Sequence, residues 1–252
     1  MQFTSRTSLN GVLERSFTLG DIPGVLWSPV SSSAPAPLVL MGHPGGLHKA
    51  AQGLVPRAIQ LVSTQGFHVA AIDAPGHGDR PRSAEDARWV DELFRARAAG
   101  EPLGPIVSAF NGSIAERAVP EWRTTLDALQ ALPEIDAGSP VGYSGMTLAT
   151  EIGMRLVAVE PRIGAAVLGS GYAFEPLLEA ARLVTVPVLY LLPWDDLEID
   201  RESGLALFDA LGSPDKVMHV TPGPHQRVPW IETEDAARFF ARHLLVTSSP
   251  TV

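Results

Sequence analysis

The sequence predicts an α/β fold in which a mostly parallel sheet is flanked by helices. Short runs rich in β-branched and aliphatic residues alternate with stretches whose apolar residues recur near helical spacing. The strand-like runs are almost continuously apolar, which indicates burial on both faces. With 252 residues, 45% of them hydrophobic, the chain can bury a substantial core, and we expect one domain over residues 1–252.

The predicted strands and helices alternate along most of the chain. The strands are predicted at residues 24–27, 37–41, 67–72, 165–168, 186–192 and 217–220. Helical spacing falls at residues 54–63, 122–132, 148–159, 203–211 and 232–245. The less regular stretch 81–119 is long enough for a small cap or lid over a site, and a solvated surface excursion is the alternative.

Charge and composition exclude several classes of function. The net charge of −9 is spread without long runs of one sign, which disfavours a nucleic-acid partner. The absence of cysteine excludes disulfides, thiolate metal sites and a cysteine nucleophile. The first 15 residues lack the apolar core of a signal peptide, and no apolar stretch reaches the roughly 18 residues of a membrane span. We therefore expect a cytoplasmic protein with a small-molecule substrate and no membrane partner, and the sequence is compatible with a homo-oligomer.

One short run predicts a strand that turns sharply into a helix, the geometry that places a nucleophile in many hydrolases. It covers residues 142–150, Gly-Tyr-Ser-Gly-Met-Thr-Leu-Ala-Thr. The usual signature of this turn is Gly-x-Ser-x-Gly, and two registers compete. Either Ser144 stands between Gly142 and Met146, or Thr147 stands between Gly145 and Ala149. Each register departs from the signature at one or more positions.

Other polar residues follow the predicted strands directly, where ligands bind in parallel sheets. Residues 42–46, Gly-His-Pro-Gly-Gly, form a flexible loop whose amide groups can face a developing oxyanion. Asp195 and Asp196 follow a later strand, and a carboxylate there can accept a hydrogen bond from an imidazole; Asp196 is preferred. His225 follows the last strand and is the best candidate for a general base.

Three other histidines predict no metal site. His43, His48 and His68 lie on a loop and a strand without a carboxylate at ligand spacing. Residues 73–78, Asp-Ala-Pro-Gly-His-Gly, are interpreted as a structural turn. Ser170 and Tyr172, directly after the strand at 165–168, are candidate pocket residues without an assigned role.

Taken together, these motifs resemble the α/β-hydrolase superfamily over nearly the whole chain. The order of oxyanion loop, nucleophile turn, acid and histidine is the order of that superfamily's catalytic triad. The chain looks most similar to bacterial serine esterases and dienelactone-hydrolase-like members. The resemblance implies an eight-stranded, mostly parallel sheet, hydrolysis of an ester-like bond through an acyl-enzyme, and no cofactor.

The resemblance also favours one register of the turn. In similar proteins the helix after the nucleophile ends at a proline just before the next strand, and counting back from Pro161 places Thr147 at the nucleophile position. Ser144 remains the alternative. The oxyanion would be bound by the backbone N–H of Leu148 and that of Gly45 or Gly46. His225 would be the base, and Asp196 would orient it.

Three functions remain open at this point. The first is hydrolysis or acyl transfer on an ester, thioester or lactone. The second is a non-hydrolytic lyase or cyclase reaction in which His225 transfers a proton and Thr147 only binds substrate. The third is a catalytically silent, ligand-binding protein on the same scaffold.

Overall fold

The fold is built on one large sheet. The computed structural model of the protein describes residues 1–31, 35–135, 137–225 and 228–245. Within these residues the sheet has nine strands in the order β1-β2-β3-β5-β4-β6-β7-β8-β9. Their bounds are β1 (Gln2–Leu9), β2 (Val12–Leu19), β3 (Ile22–Pro29), β4 (Leu38–Met41), β5 (His68–Ile72), β6 (Val141–Met146), β7 (Ile163–Gly169), β8 (Val188–Pro193) and β9 (Lys216–Thr221).

The sheet is parallel from β5 through β4 and β6 to β9, and antiparallel at its N-terminal edge. The expected mostly parallel architecture is confirmed, but the described strands number nine rather than eight. The β1–β2 hairpin was not predicted from the sequence because β1 is largely polar and is exposed along its whole length. The missed signal is Asn10-Gly11, which has positive φ at both residues and joins the strands as Asn-Gly does in two-residue hairpin loops.

Helices cover both faces of the sheet. They are α1 (Val55–Gln65), α2 (Ala84–Ala99), α3 (Gly104–Gln130), α4 (Leu148–Val159), α5 (Glu175–Leu183), α6 (Arg201–Ala210) and α7 (Trp230–Leu244). Leu38 and Leu40 pack with α3 to α6 on one face, while Val39 and Met41 pack with α1 and α7 on the other. This alternation within β4 explains why the strand is apolar at every position. None of the described helices combines the length and apolar character needed to cross a bilayer.

The stretch 81–119 is helical rather than irregular. It consists of α2 and the first half of α3, which continues through Pro120 into the helix predicted at 122–132. Only Asp86 and Ala96 are buried in α2, so its apolar periodicity is weak. The clearer signal was at its start, where Ser83 and Asp86 form a reciprocal capping box.

Candidate active site

Thr147 occupies the sharp turn between a strand and a helix. Strand β6 ends at Met146, helix α4 begins at Leu148, and Thr147 between them has φ 57° and ψ −115°. Such a backbone is rare for a β-branched residue and costs roughly 1–3 kcal/mol. The surrounding structure therefore has to hold this residue in place.

Close backbone packing and hydrogen bonds fix the turn. A Cβ on Gly145 would lie 2.6 Å from the Cβ of Ala149, and a Cβ on Gly42 would meet the same atom at 2.6 Å. The N–H of Thr147 donates to the carbonyl of Gly169 at 3.1 Å, and the N–H of Thr150 donates to the carbonyl of Thr147 at 2.9 Å. The two glycines and the small side chain at 149 are thus required by the tightness of the turn.

Ser144 lies within β6, three residues before the turn residue. Its carbonyl accepts a hydrogen bond from the N–H of Gly42 at 2.9 Å, and its neighbour in the parallel register is Val167. Ser144 also lines the cavity described below. Its position is that of an ordinary strand residue, whereas Thr147 has the special backbone geometry of the turn.

The loops after β8 and β9 bring a carboxylate and an imidazole together. Nδ1 of His225 lies 2.7 Å from Oδ2 of Asp196, whose side chain is 4% exposed. The other oxygen of Asp196 accepts backbone N–H groups from Glu198 and Ile199 at 2.8 and 3.0 Å. Because a carboxylate can only accept, Nδ1 carries the proton and Nε2 of His225 is left as an acceptor.

Asp195 has a different role from its neighbour. Its Oδ2 accepts the N–H of Gly223 at 3.0 Å, and its own N–H donates to the carbonyl of Gly223 at 3.2 Å. These bonds tie the loop after β8 to the loop that carries His225. The structure therefore places Asp196 against the imidazole and Asp195 between the loops.

The glycine-rich loop after β4 lies beside the start of α4. A Cβ on Gly45 would be 3.8 Å from the Cβ of Leu148, and Gly46 has a positive φ of 76°. Leu148 is the first residue of α4, where backbone N–H groups have no acceptor within the helix. The glycine-rich loop thus approaches the N-terminus of α4 next to Thr147.

His43 supports this loop and is not free for chemistry. Its Nε2 accepts the N–H of Ala74 at 3.0 Å, so Nδ1 must be the protonated nitrogen that donates to the carbonyl of Pro44 at 2.9 Å. Burial lowers the pKa of His43 to about 4, which keeps the ring neutral. The ring therefore links the loop after β4 to the loop after β5.

The turn after β5 is held by a buried ion pair. Asp73, which is fully buried, contacts Nζ of Lys49 at 2.8 Å and accepts the N–H of Asp79 at 3.0 Å. Gly78 has a positive φ, and a Cβ there would clash with the Asp73 carboxylate. These contacts agree with the interpretation of residues 73–78 as a structural turn.

One cavity of about 690 Å³ joins these elements. Six of the seven candidate residues line it, namely Gly45, Gly46, Ser144, Thr147, Leu148 and His225. Asp196, the seventh, contacts His225 instead. Apolar residues of α2 and of the first half of α3 form the opposite part of the lining, among them Val90, Phe94, Val107 and Ile114. Within the described residues, no hydrogen bond yet joins the hydroxyl of Thr147 to His225, and such bonds often tighten only when substrate binds.

Among the polar residues of the cavity that were not assigned a role from the sequence are Glu151 and Ser170. Glu151 on α4 is 3% exposed, and burial raises its pKa to about 7 although Nε of Arg155 lies 3.0 Å from Oε1. Ser170, after β7, is 1% exposed, and its hydroxyl has no hydrogen-bond partner among the described residues. An acidic residue within a largely apolar helix was the sequence signal for Glu151.

A metal-ligand spacing occurs elsewhere among the described residues. Ligand atoms of His219, Glu232 and Asp235 lie within 4.8 Å of one another. Nδ1 of His219 is already 2.8 Å from the carboxylate of Glu232. None of the three lines the large cavity, so this group is separate from the candidate active site.

Comparisons with solved structures find esterases that share this fold. The solved structures similar to this chain include a cold-adapted esterase from an Arctic intertidal metagenomic library, with 31% identity, a TM-score of 0.76, and coverage of 97% of this chain and 100% of that one. An acetyl xylan esterase from Paenibacillus sp. R4 matches at 14% identity and a TM-score of 0.66, covering 96% of this chain and 88% of that one. Est1E from Butyrivibrio proteoclasticus, with bound ferulic acid, matches at 13% identity and a TM-score of 0.67. The match covers 96% of this chain and 100% of that one. The last two support the fold alone. No family model matches the chain, and no curated protein matches its sequence.

Proposed function

The chain belongs to the esterases of the α/β-hydrolase fold, and we propose that it hydrolyses carboxylic esters with the hydroxyl of Thr147 as nucleophile. The observation that carries the proposal is the position of Thr147 at the strained turn between β6 and α4, on the same cavity as an imidazole paired with Asp196. Uncharged or modestly polar esters, thioesters and lactones are the proposed substrate class, since most of the cavity lining is apolar.

The first half of the reaction forms an acyl-enzyme. Nε2 of His225 accepts the proton of the Thr147 hydroxyl as Oγ1 attacks the ester carbonyl carbon, and the carbonyl electron pair moves onto oxygen. The carboxylate of Asp196 stabilises the imidazolium that forms. When the carbonyl is restored, the bond to the alcohol oxygen breaks and His225 returns its proton to that oxygen.

The second half regenerates the enzyme with water. His225 now accepts a proton from water as the water oxygen attacks the acyl carbon, and the bond to Oγ1 of Thr147 breaks as the proton returns to it. In both halves the N–H groups of Leu148 and of Gly45 or Gly46 would bind the oxyanion. Each such donor is typically worth about 3 kcal/mol in the transition state.

Threonine at this position should give a slower enzyme than serine. Its methyl group restricts χ1 and crowds the face from which a carbonyl must approach. The backbone at φ 57° is also more strained for a β-branched residue than for serine. Threonine hydroxyls nevertheless act as nucleophiles where a base is adjacent, as His225 is proposed to be here.

Removing each hydroxyl in turn tests the assignment. We expect Thr147→Ala to abolish hydrolysis of a panel of p-nitrophenyl esters, and Ser144→Ala, the matched control three residues away, to keep most of it. If Ser144→Ala is the inactive variant, the nucleophile assignment is wrong. Wild-type protein that hydrolyses no ester of the panel would contradict the proposed function itself.

Thr147→Ser tests the cost of the methyl group. Because the substitution keeps the hydroxyl and relieves the crowding, we expect kcat for p-nitrophenyl esters to rise several-fold, with little change in KM. An unchanged or lower rate would count against Thr147 as the attacking residue.

A further inference from the structure

The cavity wall one turn beyond Thr147 contains buried polar groups that the proposed reaction does not use. Glu151 is the fourth residue of α4 and follows Thr147 by four positions, which corresponds to about 6 Å along a helix axis. Both Glu151 and Ser170 line the cavity. A substrate held at Thr147 would therefore extend past these side chains.

Arg155 donates a hydrogen bond to only one of the two carboxyl oxygens of Glu151. Oε1 accepts from Nε of Arg155 at 3.0 Å, and within the described residues no hydrogen bond is found for Oε2. The approach of α3 is close here, since a Cβ on Gly112 would lie 3.5 Å from the guanidinium of Arg155 and 4.0 Å from Oε1 of Glu151. The carboxyl thus lies where α3 approaches α4, and Glu151 forms part of the cavity wall.

Ser170 gives a second, independent indication of a ligand at this part of the cavity. Its hydroxyl is buried without a partner among the described residues, and its φ is 52°. Burying an unpaired hydroxyl costs free energy, and at this φ glycine would be less strained. Nothing in the local backbone requires a serine, so its hydroxyl is explained best by a ligand.

The charge of this region selects the chemistry of that ligand. The carboxyl of Glu151 already has a cationic neighbour in Arg155, so an additional cation is not needed to neutralise it. A neutral hydroxyl can donate to the free oxygen of Glu151 and exchange a hydrogen bond with Ser170, without the desolvation cost of burying another charge. Burial raises the pKa of Glu151 to about 7. Near neutral pH its carboxyl can therefore accept a hydrogen bond when ionised or donate one when protonated.

We propose that Glu151 and Ser170 form a hydroxyl-binding subsite, and that the preferred esters carry a hydroxyl group roughly one helical turn from the reacting carbonyl. This inference rests on the proposed esterase activity. Most of the remaining lining is apolar, so the subsite would distinguish hydroxylated esters from aliphatic esters of the same size.

Two isosteric ester pairs test the subsite on either side of the ester bond. Ethyl 5-hydroxypentanoate is compared with ethyl hexanoate for the acyl side, and 4-hydroxybutyl acetate with pentyl acetate for the alcohol side. We expect wild-type protein to favour the hydroxylated member of one pair in kcat/KM by on the order of tenfold, because its loss leaves buried polar groups unpaired.

The variants separate recognition from folding. Glu151→Gln and Ser170→Gly should each reduce that preference to below about threefold. Ser170→Gly is compatible with the positive φ, so it keeps the test valid if Glu151→Gln folds poorly. Glu198→Gln, which changes an exposed carboxylate on the same cavity, is the matched control and should keep the preference. A purely structural defect would lower the rates for both members of a pair equally.

The outcomes of the two proposals differ. Hydrolysis of all four esters without preference for a hydroxyl would overturn the subsite and leave the esterase proposal intact. A preference that persists in both Glu151→Gln and Ser170→Gly would also overturn it. Hydrolysis of none of the four would contradict the esterase proposal, and the subsite with it.

Discussion

The two walls of the cavity differ in how firmly the fold holds them. The sheet wall, formed by the ends of the parallel strands and by α4, contains Thr147 and His225. Backbone hydrogen bonds and the His225–Asp196 contact hold it. The cap wall, formed by α2 and the first half of α3, presents apolar side chains. In α4 nine of twelve residues are buried, whereas in α2 only two of sixteen are. The proposed catalytic residues therefore lie on the wall whose helix is more deeply buried.

The largest effect should come from the proposed base on the sheet wall. We expect His225→Ala to lower kcat by about 10⁴-fold or more, as removal of a triad histidine does elsewhere. The exposed His48 is the matched control, and His48→Ala should retain wild-type activity. A His225→Ala protein with nearly full kcat toward p-nitrophenyl esters would place the chemistry elsewhere.

A second comparison concerns two residues of the cap wall that differ in burial. Ile114 is 1% exposed and Phe94 is 63% exposed, although both line the cavity. Ile114→Ala should lower the free energy of unfolding by about 2–5 kcal/mol, and Phe94→Ala by less than about 1 kcal/mol. We expect Phe94→Ala instead to raise KM for long-chain esters. Denaturant unfolding gives the change in stability, and steady-state kinetics on the same variants gives the change in KM. Equal losses of stability would contradict the division of the cap wall into a buried part at Ile114 and an exposed part at Phe94.

A smaller effect is expected from the titration of Glu151 on the sheet wall. Burial raises its pKa from 4.5 to about 7, so the folded protein holds this proton more tightly than the unfolded chain. The resulting stability is present at low pH and is lost as pH rises through about 7. Glu151→Gln removes this dependence, so the Tm of wild type minus that of the variant should fall by roughly a few °C between about pH 5 and pH 8. A difference in Tm that does not change with pH would contradict the raised pKa of Glu151.

Apolar pattern and chain order were enough to predict most of the sheet wall. The pattern predicted α4 at its observed bounds, and the post-strand positions of Asp196 and His225 predicted residues that lie in contact. The cap helices were missed because α2 buries too little surface to impose a helical period on its sequence. Glu151 could not be assigned to the cavity, since the closeness of α3 to α4 is a property of tertiary packing.

The most direct test of Thr147 as the nucleophile and His225 as its base is to map the residue that a fluorophosphonate modifies. Trypsin should release residues 124–155 as one peptide that contains both candidate hydroxyls, and fragmentation between positions 144 and 147 separates them. We predict an adduct on Thr147 that is absent from His225→Ala protein. An adduct on Ser144, or one on Thr147 that forms equally well without His225, would contradict the account.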